Sequence, residues 1–331
     1  LDLKKPEATT VLDRLIARSD VLIENFRPGV IDRLGFGYDR CRRLNARLVY
    51  TSINGFGPDG PYANIRVYDP VVQAVSGLAA LQAGADGAPH LIQTLIADKA
   101  TALTAAQAIT AALYSRERSG TGQRIDIAML DAAIAFAWPD GMWNETFLDD
   151  APPPWPPYGA QMRLWEAADG QVAIGALQDS EFAALCDAVG RPDLAADPRL
   201  ATVVGRNVHR ADWTPALSSA VKAMSVDALM AAFVRTGAVG GRVNRVPDVA
   251  ADPQVIHNST IANVDHGAIG RVALPRAAAR FADGGSRPGV APGLGEHSRE
   301  ILRELGHTDV EIDALVASGS VVASSVTAQA C

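Results

Sequence analysis

One carboxylate stands where chemistry could start. Asp98 follows an apolar, strand-like run (Leu91, Ile92, Leu95, Ile96) and precedes a stretch rich in alanine, with Ala100, Ala102, Ala105, Ala106, Ala108, Ala111 and Ala112. Such a stretch forms helix readily and adds little bulk. Gly120 and Gly122 end it just after Arg116 and Arg118, cations suited to a helix C-terminus. Asp98 is therefore expected at or just before a helix N-terminus, where unpaired amides and the helix dipole favour an anion. Two roles fit: an N-cap, which is the plainer reading, or a nucleophile if a reactive carbonyl can be brought to it. A second group consists of cations and aromatics: Lys4 and Lys5, Asn25-Phe26-Arg27, Arg33, and Arg66 with Tyr68. Each alone reads as a solvated surface group. Together they could bind a phosphorylated ligand, with Lys and Arg on the phosphates and Phe26 or a guanidinium plane stacked on a purine.

Other chemistries find no support. Gly55-Phe56-Gly57-Pro58-Asp59-Gly60 satisfies GxGxxG after a strand-like run, but Pro58 and Pro61 break the helix that a dinucleotide site requires. GxxxxGK[ST], GxSxG and HExxH are absent, and the six histidines lack metal-ligand spacing. The three cysteines, Cys41, Cys186 and Cys331, form neither CxxC nor a disulfide framework, which fits a reducing, cytoplasmic setting. A net charge of -7 argues against nucleic acid as a partner. No apolar run approaches the length of a bilayer span, so no membrane partner is expected.

The positioning elements follow from periodicity. Helical spacing covers Pro6–Ser19, Val30–Leu34, Tyr38–Leu44 and Asp69–Gln82, and strand-like runs cover Val21–Ile23 and Leu48–Ile53. Asp69 with Pro70 reads as an N-cap and first helical residue. Alternating strand and helix imply a parallel α/β sheet, whose ligands bind beyond the carboxyl ends of the strands. The turns after Ile23, Ile53 and Ile96 are thus the expected site. The chain divides into a large α/β domain over residues 1–150, a smaller α+β domain over 151–287 with a proline-rich linker at 151–157, and a return linker and C-terminal helices over 288–331. In the smaller domain a hairpin is expected around Asp169-Gly170, helices at Ser180–Val189 and Trp213–Arg235, a turn at Gly237–Asn244, and strands between Ile261 and Phe281.

Read in order, LDLKKPE, DVLIENFRPGVIDRLGFGYD, LVYTSINGFGPDGPYA, VYDPVVQAVSGL, IADKATAL and ALYSRERSGTGQRIDIAMLDA resemble the family III CoA-transferases of the CaiB/BaiF type, as does the closing GEHSREILRELG. That group holds the formyl-CoA and carnitine CoA-transferases, with α-methylacyl-CoA racemase as a relative. The resemblance implies a Rossmann-like large domain, an interlocked homodimer, and coenzyme A or acyl-CoA as a substrate with no tightly bound cofactor or metal. It also implies that an N-terminal strand–helix segment bearing part of the CoA pocket is missing here. It puts the nucleophile at Asp98, CoA contacts at Lys4, Asn25, Phe26, Arg27, Arg33 and Arg66, and a transferase tyrosine at Tyr68. The racemase branch has histidine there. Racemisation needs an acid and a base near working pH, and tyrosine is poorly matched to that task, so Tyr68 favours transfer. The implied reaction moves CoA from an acyl-CoA to a carboxylic acid through an aspartyl anhydride and an aspartyl-CoA thioester. The helix N-terminus is expected to keep Asp98 ionised. Tyr158-Gly159-Ala160 lacks the run of glycines of the formyl-CoA enzyme's lid loop. The alternatives are an α-methylacyl-CoA racemase or isomerase and a CoA-binding protein without catalysis.

Overall fold

The computed structural model describes residues 1–83, 87–149, 159, 162–267, 269–282 and 288–324. The chain forms two compact units, one of Leu1–Pro157 with Ala291–Cys331 and one of Tyr158–Val290. The expected linker at 151–157, with Tyr158 and Ala160, lies outside the described residues.

In the first unit, helix α1 (Pro6–Arg18) begins on a proline and buries Ala8, Val11 and Ile16. Strand β1 (Val21–Glu24) leads through a turn to helices α2 (Val30–Arg33) and α3 (Tyr38–Leu44), then to strand β2 (Val49–Asn54). Ile16, Ile31, Phe36, Cys41, Leu48 and Tyr50 close one core between these elements. The helical stretch expected over Asp69–Gln82 is two helices, α4 (Asp69–Val75) and α5 (Leu78–Leu81). Gly77, at φ 87°, breaks it with a backbone conformation that L side chains disfavour. Next come α6 (Ile96–Ser119), strand β3 (Arg124–Ala128) and α7 (Met129–Gly141). The three strands are parallel in the order β1–β2–β3, so Glu24, Asn54 and Ala128 end on one edge. A mixed α/β architecture with a parallel sheet is therefore present, in sequence order and without a strand-order reversal among the described residues.

A further expectation for this unit is corrected. Leu91–Leu95 is not a strand but irregular backbone, held by a side chain rather than a ladder: buried Gln73 accepts from the Ile92 N–H at 2.9 Å and donates to the Ile92 and Thr94 carbonyls. Isolated apolar residues at 91, 92, 95 and 96 look like a short strand because periodicity over so few positions does not separate the two. Strand β3 stands outside the strands that periodicity predicts, because it carries Arg124 and Asp126 paired on its exposed side and so lacks an apolar run.

Helix α6 is the long strut of the unit. Its alanines Ala97, Ala100, Ala105 and Ala112 are buried, and their small size lets neighbours approach closely. Ala97 packs with Val72, Leu78, Ala133 and Ala137 from α4, α5 and α7. Gly120, at φ 76°, ends the helix as expected. Arg116 does more than suit the dipole. Buried at that end, it pairs with Asp20 at 2.9 Å and donates to the Arg47 carbonyl, fixing the helix to the chain segments that enter β1 and β2. The C-terminal helices Ser298–Glu304 and Asp309–Ala317 return to this unit, with Leu302, Ile312 and Leu315 packed on Val11.

The second unit has strands β4 (Leu164–Glu166) and β5 (Gln171–Gly175), antiparallel as the Asp169-Gly170 turn predicts. Helices α8 (Asp179–Ala188), α9 (Pro192–Ala196), α10 (Val203–Val208), α11 (Arg210–Lys222) and α12 (Val226–Thr236) follow. The long helix expected over Trp213–Arg235 is thus interrupted at Ala223–Ser225, where Ser225 caps α12 by accepting from the Ala228 N–H. Gly237–Asn244 is not a plain turn. It holds strand β6 (Val239–Arg242), which pairs with β5 because Gly240 lets the backbone pass against the Phe233 ring. Val172, Phe182, Leu185, Leu217, Val221 and Leu229 make the core. Helix α13 (Pro253–His257) and the hairpin of β7 (Ile261–Asp265) and β8 (Arg271–Pro275) complete the described elements of this unit.

Candidate active site

A cleft of about 650 Å³ opens in the first unit at the carboxyl edge of the sheet. Its walls come from the turn after β1 (Asn25, Phe26, Arg27), the turn after β2 (Asn54, Gly55, Phe56) and Met129 after β3. The Ala63–Asp69 loop and the first turns of α6, with Asp98, Thr101 and Ala102, close it. This is where a parallel α/β sheet places ligands. Of the candidate residues, Asn25, Phe26, Arg27, Arg66, Tyr68 and Asp98 share this cleft, while Lys4 and Arg33 lie outside its lining. A smaller cavity of about 160 Å³, lined by Glu24, Tyr50, Ser52 and Arg124 among others, shares Phe26, Pro28 and Asn54 with it.

Glycines shape the rim for reasons unrelated to a pyrophosphate. A Cβ on Gly55 would lie 2.1 Å from Val67 Cγ1, so the turn after β2 and the Arg66–Tyr68 segment meet only because residue 55 has no side chain. Gly57 and Gly60 take φ of 111° and 90°. Gly55→Ala is expected to cost about 1–3 kcal/mol through overpacking and to raise KM for an acyl-CoA by displacing Val67. Thermal melts and initial rates check both.

Asp98 is not an N-cap. It is the third residue of α6, whose cap position is Leu95, and its side chain is exposed at the cleft. The cap comes from elsewhere. Asp69, only 2% exposed, does not cap its own helix; its Oδ2 accepts the Asp98 backbone N–H at 2.9 Å. One of the orphan donors at the start of α6 is thereby satisfied by α4. Asp69 Oδ1 accepts from Gln73 Nε2 at 2.5 Å, and Gln73 holds residues 92 and 94 just ahead of the helix. One buried pair therefore fixes both the start of α6 and the chain leading into it.

The electrostatics also differ from expectation. Burial, and then the Asp69 carboxylate, push the Asp98 carboxyl above its ordinary value, with Lys99 pulling the other way. The helix start does not make Asp98 an unusually strong acid. A raised carboxylate is a more basic oxygen nucleophile once ionised. Tyr68 is 81% exposed and stands at the cleft mouth at the N-cap of α4.

Sequence comparison decides the family. The model of CoA-transferase family III matches residues 1–298. The chain is a family III CoA-transferase. Relatives of this transferase include an acetyl-CoA:oxalate CoA-transferase of Acetobacter aceti, 33% identical over 92% of this chain and 78% of the relative. A succinyl-CoA–D-citramalate CoA-transferase of Chloroflexus aurantiacus is 31% identical over 92% of this chain and 77% of the relative. Among solved structures, a CAIB/BAIF family protein from Brucella suis superposes with a TM-score of 0.76 at 33% identity, covering 92% of this chain and 80% of that one. The transferase thus uses CoA thioesters as substrates.

Sequence reasoning missed part of its cleft. Met129, Thr101 and Ala102 line the site without carrying chemistry a motif would show. In the sequence Asp69 has the pattern of a local cap, and spacing does not distinguish a buried carboxylate facing a second helix from one.

Proposed function

We propose that this CoA-transferase carries CoA from an acyl-CoA to a carboxylic acid with Asp98 as covalent nucleophile. The supporting observation is that Asp98 is exposed on the first turn of α6, in the same cleft as Asn25, Phe26, Arg27 and Arg66. An Asp98 oxygen adds to the thioester carbonyl, and the C–S bond breaks to release CoA thiolate and leave a mixed anhydride. The thiolate attacks the Asp98 acyl carbon, expelling the donor carboxylate and forming an aspartyl-CoA thioester. The acceptor carboxylate attacks that thioester, again releasing the thiolate and forming a new anhydride. Thiolate attack on the acceptor's acyl carbon gives its CoA ester and restores Asp98. No net proton is taken up or lost, so a group of tyrosine type serves better as an oxyanion donor than as a base; Tyr68 is assigned that part.

The cationic turn after β1 binds CoA in this reading. Arg27 pairs with a phosphate and Phe26 stacks on the base. Arg27→Ala is expected to raise KM for acyl-CoA about tenfold with little change in kcat, as loss of uniform binding does. Phe26→Ala acts in the same direction more weakly. The relatives named for oxalate, citramalate and glutarate make small dicarboxylates the first acceptors to assay. The reading also takes the enzyme to be a cytoplasmic homodimer, supported by the family resemblance and by the free Cys41 and Cys186, and light scattering tests the dimer.

The test of the covalent step is trapping. Incubation with acyl-CoA and then hydroxylamine or borohydride should modify the peptide carrying Asp98, read by mass spectrometry. Exchange of the α-proton of the acyl group without an adduct would instead mean racemisation. CoA binding with neither result would leave a binding protein.

A further inference from the structure

The second unit holds a cavity of its own, about 310 Å³, walled by Trp165, Ile174, Leu177, Phe182 and Trp213. Three arginines, Arg163, Arg206 and Arg210, line the same space. Elsewhere in this unit Arg191, Arg199, Arg242 and Arg245 each pair with an aspartate. Arg163 and Arg210 are different. Both are half-buried, and neither side chain makes an ion pair or hydrogen bond among the described residues. Arg163 lies over the Trp165 ring at 3.6 Å and has a sealed, unpartnered Nη2. Arg206 is 4% exposed; its Nη1 meets Asp179 at 2.8 Å, yet its Nη2 is also buried without a partner, as is Asn207 Nδ2.

We infer that this cavity binds an organic carboxylate with a flat apolar body. Like charges beside one another in a half-dry space, with no carboxylate among the described residues paired to either, are a free-energy cost that an anion in the cavity relieves. The direction of the Arg163 shift agrees: burial and then the Arg210 charge push its guanidinium down, and Asp179 already serves Arg206. The two half-buried guanidiniums meet the carboxylate, whose planar, two-oxygen geometry they match, and Arg206 in the same lining adds its field. Aromatic walls select against a bare inorganic anion. The volume suits one small acid rather than a nucleotide.

Phenylacetate is the probe, titrated into the full chain by calorimetry. It should bind saturably and at least about tenfold tighter than phenylacetamide, the difference of a charge-assisted hydrogen bond. CoA should not displace it, which separates this cavity from the cleft holding Asp98. Arg163→Gln and Arg210→Gln should each weaken binding about tenfold while leaving transfer activity and melting temperature near the parent values. If one variant does not fold, the other carries the test. Equal affinity for the amide, equal competition by inorganic phosphate, displacement by CoA, or unchanged binding in the folded variants would each overturn the inference. So would binding that appears only on dilution, which would mean that a second copy of the chain fills the cavity.

Discussion

Replacing Asp98 by alanine is expected to lower transferase turnover at least about a thousandfold, the scale of losing a covalent nucleophile, and to leave CoA affinity within about twofold. Every step of the proposed cycle makes or breaks a bond to the carboxyl group of this side chain, at an oxygen in the first and last steps and at its carbon in the two between. No substitute stands ready in the cleft: Asp69, the other carboxylate in its lining, is buried and already committed to the Asp98 amide and to Gln73. The fold should survive, because alanine is the best helix former and the Asp98 side chain makes no hydrogen bond among the described residues. The linkage points the same way. Burial and Asp69 raise the carboxyl above its ordinary value of 3.8, so ionised Asp98 opposes folding at neutral pH. That cost fades as pH falls through the raised value and is gone below the unfolded one. The melting temperature of Asp98→Ala at neutral pH should therefore be no lower than that of the parent. A clear drop would show that the charge–dipole attraction at the helix start, typically about 0.3–1 kcal/mol, outweighs burial and Asp69. Retained turnover would remove Asp98 from the chemistry altogether.

The sequence makes some parts of this fold legible and hides others, for physical reasons. β1 and β2 are legible because buried parallel strands show as apolar runs. The end of α6 is legible because a left-handed residue needs glycine, and Gly120 supplies it. The loop at 87–95 is not, since what orders it is the amide of Gln73, reaching across from another helix. β3 escapes notice because its outward Arg124 and Asp126 interrupt the apolar pattern. At the site, residue types with distinctive chemistry and local motifs were visible: Asp98, Tyr68 and the Asn25-Phe26-Arg27 turn meet in one cleft. Lys4 and Arg33 share their residue types and the family resemblance, yet they do not line it. Spacing along the chain reports local geometry well and long-range geometry poorly. The sharpest instance is the cap of α6, which comes from a residue 29 positions upstream rather than from the helix's own start.

That cap carries the last expected result. Asp69→Ala removes the acceptor for two donors at once, the Asp98 N–H and Gln73 Nε2. Each orphaned donor costs about 1–3 kcal/mol unless water enters from the cleft. The first turn of α6 then loses its tether, and a displacement of the nucleophile by about 1 Å can cost a hundredfold in rate. Asp69→Ala is therefore expected to lower kcat by about ten- to a hundredfold, with KM for acyl-CoA little changed, because Phe26 and Arg27, assigned to CoA binding, stand on the turn after β1. Asp69→Asn separates charge from tether. Its carbonyl oxygen can still accept the Asp98 N–H, but its amide would face the Gln73 donor, and Gln73 cannot turn over without losing the Ile92 N–H. Some loss of stability is expected from that clash. The charge effect has an independent sign. Asp98 must be ionised to attack, so kcat/KM falls as pH drops through its raised value. Removing the Asp69 charge leaves burial pushing up and Lys99 pulling down, so the acidic limb in Asp69→Asn should move to lower pH. A merely structural Asp69 would reduce the height of the pH profile and leave that limb where it was.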